Sequence, residues 1–119
     1  MSLSPEEAPQ QRGLVLLSKA ERLLTDLGPS IDKVPRHQRY RYAIRLEEAL
    51  WRLVELIIQA AASGQKNKVY RIDEHLRLLH ALLRHGAERK LIAASRTGEA
   101  AVQLAEIGAM VGTWKKKLK

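Results

Sequence analysis

The chain has 119 residues, enough for one hydrophobic core and too few for two. It lacks cysteine, which excludes disulfide scaffolds, cysteine-ligated zinc and thiol chemistry together. Lys and Arg outnumber Asp and Glu 21 to 13, a formal net charge of +8 with a pI near 10.1, an excess that suits a polyanionic partner.

Apolar residues make up 45% of the chain and aromatics 4%, with no phenylalanine. Leu, Ala and Arg dominate where β-branched residues would mark strands, so the composition points to an all-α fold. The longest nearly uncharged run, Leu53 to Gln65, is broken by Glu55 and falls well short of the roughly 20 apolar residues that cross a bilayer. The first ten residues are acidic and proline-containing, unlike the basic start and apolar stretch of a secretory signal, which predicts a cytoplasmic protein.

Residues 1–12, with Pro5, Pro9, Glu6 and Glu7, offer almost nothing to bury and read as a flexible arm. Residues 13–119 then form the bundle, ending in a basic tail. In the first helix Leu16, Ala20, Leu23 and Leu27 keep the spacing of one buried stripe, and Gly28-Pro29 is expected to weaken or end it. A second helix is predicted from Pro35 to about Ala62. Its main stripe is Ala43, Leu46, Leu50, Leu53, Ile57 and Ala60. A flanking apolar row of Ile44, Trp51, Val54 and Ile58 exceeds what one core needs and is assigned to an oligomer interface.

Asn67 is a plausible cap for helix three, whose stripe is Val69, Ile72, Leu76, Leu79 and Leu83, with Gly86 marking an end close by. The fourth helix carries Ala100, Leu104, Ile107, Val111, Trp114 and Leu118, with Thr97 as its expected cap. Gly108 and Gly112 share a side of it and are read as points of close helix packing. Four such helices on short connections imply an up-down-up-down bundle.

Catalytic patterns are weak. His75, His80 and His85 are each about 140° apart around a helix and cannot converge from one face as metal ligands. His37 stands alone, Glu47-Glu48 and Asp73-Glu74 diverge around their helices, and the arginine–histidine spacing of one helical ribonuclease class is absent. Neither a metal nor a cofactor is expected.

Basic clusters are the better sites. Lys33, Arg36, Arg39, Arg41 and Arg45 occupy an acid-free stretch interleaved with His37, Tyr40 and Tyr42. Arginine's planar fork suits phosphate and a tyrosine ring suits an unpaired base. Arg77, His80 and Arg84 share one face of helix three, and Lys115, Lys116 and Lys117 form the polycationic tail.

Three segments carry a family resemblance: Pro35-Arg36-His37-Gln38-Arg39-Tyr40, Leu79-His80-Ala81-Leu82-Leu83-Arg84, and Glu106-Ile107-Gly108-Ala109-Met110-Val111-Gly112-Thr113-Trp114. In this order the chain resembles the accessory variability determinant (Avd) proteins of diversity-generating retroelements, over roughly residues 14 to 117. It departs from the family pattern at Ala109 and His80, where arginine is usual; Arg84 keeps the second arginine of its motif.

The resemblance implies a non-enzymatic, ring-like homopentamer of four-helix bundles. Such a ring binds the retroelement reverse transcriptase and nucleic acid, template-repeat RNA or cDNA, in support of mutagenic retrohoming. The residues themselves leave open a ribosomal-RNA-associated four-helix bundle of the related intervening-sequence family, and a small helical nuclease.

Overall fold

A computed structural model describes residues 7–118, with side chains from residue 12 onward. Four helices account for most of it: α1 Glu7–Asp32, α2 Ile44–Ser63, α3 Lys66–Glu88 and α4 Ala94–Lys117. Each packs against its two neighbours around a square, α1 on α2, α2 on α3, α3 on α4 and α4 back on α1. The molecule measures 50 × 26 × 18 Å. Cross-helix contacts fix the antiparallel directions. Gly13 near the start of α1 lies so close to Ala61 near the end of α2 that a Cβ there would stand 2.6 Å from the Ala61 Cβ. Lys19 pairs with Glu106, and Gln103 donates to Asp26 at 3.2 Å, tying α1 to α4.

The predicted stripes form the core. Leu16, Leu23 and Leu27 of α1, Leu46, Leu53 and Ile57 of α2, Ile72 and Leu79 of α3, and Leu104, Ile107 and Trp114 of α4 are all essentially inaccessible to water. Burying each such side chain contributes roughly 1.5–3 kcal/mol.

Several local expectations are corrected. α1 begins at Glu7, inside the stretch expected to be an arm, and residues 1–6 lie outside the described residues. Gly28-Pro29 does not end α1, which runs on to Asp32. Pro29 sits in the last turn, where its own carbonyl still accepts from Lys33 N–H at 3.2 Å, and Ile31 and Val34 beyond it are buried. Packing therefore carries the helix past one missing donor.

Asn67 is not the cap of α3; Gln65 holds that position without a side-chain bond. Thr97 lies inside α4, buried, with its hydroxyl donating back to the Ala94 carbonyl at 3.0 Å. A Cβ on Gly108 would meet Leu76 Cδ1 only at an ordinary 3.7 Å, and one on Gly112 would meet nothing within 4 Å. Neither marks a close helix approach.

The entry to α2 is the least regular part of the bundle. After Pro35 a short 3-10 turn, Arg36–Gln38, passes into a π-helical turn, Arg39–Ala43, whose wider loop is seen in the Ile44 N–H donating to the Arg39 carbonyl five residues back. This turn points Tyr42 inward, only 3% exposed, and leaves Tyr40 83% exposed. The Tyr42 hydroxyl donates to the Leu82 carbonyl of α3 at 2.6 Å, and its ring packs beside His85 with centroids 5.9 Å apart. Gly86 makes the approach possible, because a Cβ there would fall 2.1 Å from the Tyr42 oxygen. Gly86 is thus a seat for Tyr42, and α3 ends close by, as expected, at Glu88.

Two outcomes follow from this contact. Gly86→Ala should destabilise the fold by about 2 kcal/mol, as an overpacked core does. In a Tyr42→Ala background the same change should stabilise by up to about 1 kcal/mol, because alanine is the better helix former; denaturant unfolding of the four-member cycle checks the reversal of sign. Burial also pushes the Tyr42 phenol from its ordinary 10 up to about 12. The neutral phenol is favoured in the folded state, so its contribution is intact below about pH 10 and fades as pH rises towards 12. Measured against Tyr42→Phe, the parent should lose stability across that interval and the variant should lack that component.

Candidate nucleic-acid interface

The sequence-assigned basic residues separate into three groups along the bundle. The first is the turn entering α2. Arg36, Arg39, Arg41 and Arg45 are all exposed, as are Lys33 and His37, and none of these arginines pairs with a carboxylate among the described residues. Tyr40 stands among them as the most exposed large hydrophobic side chain of the described residues. Tyr42, interleaved with them in sequence, belongs to the core and is removed from the set of base-facing rings. The acid-free stretch also has acidic neighbours in space: Arg39 shares a cleft of about 150 Å³ with Asp32 and Glu47. Arg36, Arg41 and Arg45 are not among the residues of that cleft.

The second group is on α3. His80 and Arg84 line a cleft of about 230 Å³ between α3 and the first turns of α4, floored by Ala87, Ala94, Thr97 and Gly98. Arg77 is exposed on the same helix but does not reach this cleft. Because α3 ends beside the entry to α2, as the Tyr42–Leu82 bond shows, the first two groups lie towards the same end of the bundle.

The third group lies at the opposite end, where α4 finishes beside the start of α3. Lys115 is partly buried and bound to Asp73 at 3.0 Å, while Lys116 and Lys117 are exposed. Sequence reasoning missed a residue here: the Lys115 ammonium stands 4.8 Å from the centroid of the Tyr70 ring, with Lys66 at 6.0 Å. The Lys66–Tyr70 pair, one helical turn apart, was visible in the sequence; its partner from α4 was not.

The flanking apolar row of α2 divides. Val54 is buried within the subunit, so it belongs to the core. Ile44 is half-buried, and Trp51 and Ile58 are 51% and 50% exposed. Ile58 continues into an apolar groove of about 370 Å³ with Leu14, Leu17, Ile57 and Ala61, between α1 and α2.

His75 bonds through Nε2 to the Ala49 carbonyl at 2.7 Å, a structural tie between α3 and α2. Among the described residues no three His, Asp or Glu side chains gather as a metal site, and no helix is long and apolar enough to cross a membrane. The arrangement offers cationic forks, exposed rings and apolar surface, which are means of binding.

No curated protein compared with the chain matches it. A family model described as bAvd-like matches residues 14–118, from the second turn of α1 to the end of α4. The match agrees with the helical architecture and with the motifs around Pro35, Leu79 and Glu106, and the chain therefore belongs to the bAvd-like family of retroelement accessory proteins.

Proposed function

We propose that this chain is a non-enzymatic cytoplasmic accessory subunit that binds the reverse transcriptase of a diversity-generating retroelement and its template-repeat RNA or cDNA, in support of mutagenic retrohoming. The observation that carries this reading is the turn entering α2, in which four exposed arginines surround an exposed tyrosine and lack carboxylate partners among the described residues. A basic residue at a helix start opposes the helix dipole, so this placement works against helix stability. A bound polyanion reverses that balance, with arginine forks on phosphates and Tyr40 under an unpaired base. The cleft of His80 and Arg84 supplies a second contact near the same end. There the single ring of His80 holds phosphate less firmly than the forked guanidinium usual at that place.

Assembly completes the proposal. Trp51 and Ile58, with half-buried Ile44 and the neighbouring groove, present apolar surface that a second copy can cover. We take the assembly to be a ring-like homopentamer. Five copies at +8 each bring the formal charge of one particle to +40, a field that draws RNA and acidic protein surfaces.

Single-stranded RNA should bind the isolated protein with an affinity that falls steeply with salt, each neutralised phosphate adding about −0.7 to the slope of log affinity against log salt. Replacing Arg36, Arg41 and Arg45 together by Ala should weaken binding and flatten that slope. Arg77→Ala with Arg84→Ala should also weaken it while helical circular dichroism is kept, and His80→Arg should not. A parent slope near zero contradicts the reading. For assembly, Trp51→Glu or Ile58→Glu should lower the mass measured by light scattering; an unchanged mass means the ring closes through another surface.

A further inference from the structure

The lysine cluster at the far end of the bundle is organised around an aromatic ring. Tyr70, one turn into α3, is 43% exposed. Lys115 is held over it at 4.8 Å and anchored by Asp73 at 3.0 Å. Lys66 stands 6.0 Å from the ring centroid, and neither it nor Lys116 has a carboxylate partner among the described residues. Lys66, Tyr70, Lys115 and Lys116 line an open cleft of about 420 Å³ together with Gly112 and Leu118. Gly112 has no packing reason to be glycine, since a Cβ there would meet nothing within 4 Å. Glycine weakens a helix interior, and what it leaves here is an unobstructed cleft beside the ring.

The geometry points to this cleft as a subsite for one unpaired nucleotide of a single-stranded nucleic acid, its base on the Tyr70 ring and its flanking phosphates on Lys66 and Lys116. The inference rests on the nucleic-acid reading above and adds a second site, at the end of the bundle opposite the arginine turn. Phosphate alone requires cations but no ring. A partly exposed tyrosine with ammonium groups close to its ring matches the pairing of stacking platform and cationic groove by which single strands are held. A duplex does not fit the same device, because the faces of its bases are covered by their neighbours. Lys115 stays tethered to Asp73 and keeps the ring in place. Lys66, exposed and 6.0 Å from the ring centroid, turns from the ring to a phosphate as the base arrives.

The test uses the intact chain and a short single-stranded oligouridylate carrying one 2-aminopurine, read by fluorescence quenching for stacking and by anisotropy for affinity. Tyr70→Ala should abolish the quenching and weaken binding about fivefold or more, the range of a lost base–aromatic stack, while Tyr70→Phe retains both. Gly112→Gln, which places a side chain in the cleft, should also lose the quenching. Inorganic polyphosphate, which has no base, should bind the parent and Tyr70→Ala equally. If Tyr70→Ala, folded by circular dichroism, binds and quenches like the parent, or loses polyphosphate to the same degree as the oligonucleotide, the subsite is overturned and the broader reading stands. If the parent binds no oligonucleotide at low salt, both are overturned together.

Discussion

The hydrogen bond from Tyr42 to the Leu82 carbonyl, made across the bare backbone of Gly86, is the contact on which the arginine-bearing end of this bundle depends. It joins the irregular entry of α2 to the last turns of α3. A π-helical turn is a poor structure to leave unsupported, and this one is held by a buried ring and a short hydrogen bond. The arginines on its outer side therefore stand on a fixed base, and their spacing is set by the fold. The core stripes of the four helices hold the bundle together, but they do not orient this turn.

Charge is distributed along the bundle with a consistent logic. At one end the arginine turn and the His80–Arg84 cleft lie close together; at the other, lysines gather around Tyr70. The flanks between are occupied by mixed-sign pairs such as Lys19–Glu106, Arg52–Glu55 and Arg22–Asp26. Solvated pairs of this kind add little stability, on the order of 0–1 kcal/mol each, and they match charge locally along the flanks.

The sequence made the helices and their inner faces legible because a heptad stripe has one physical outcome when water is excluded: Leu16, Leu23, Leu46, Ile57, Leu79 and Trp114 could only face inward. Local punctuation was less reliable. Pro29 and Gly28 were read as a stop, yet burial of Ile31 and Val34 carried α1 past them. Asn67 and Thr97 have capping chemistry, but the helices start one and three residues earlier. The basic residues of the site were readable as a cluster. Which tyrosine serves it was passed over, although Tyr42 stands one turn before Leu46 of the core stripe and Tyr40, two residues back, falls on the opposite side. Val54 was lost from the outer row for a related reason, its place on the flank being close enough to the core to be buried. The cleft at Tyr70 needed Lys115 from a helix 45 positions away in the chain, a proximity that only the packing of α4 on α3 supplies.

The claim that this chain serves a reverse transcriptase through its basic surface is tested most directly by co-purification. Tagged intact protein is combined with the reverse transcriptase of its own retroelement, with and without template-repeat RNA, and compared with a variant in which Arg36, Arg41 and Arg45 are replaced by Glu. The account predicts a complex with the parent that gains RNA when it is supplied, and a folded variant that loses the complex. Absence of any parent complex at low salt, or a variant complex as abundant as the parent's, would contradict it.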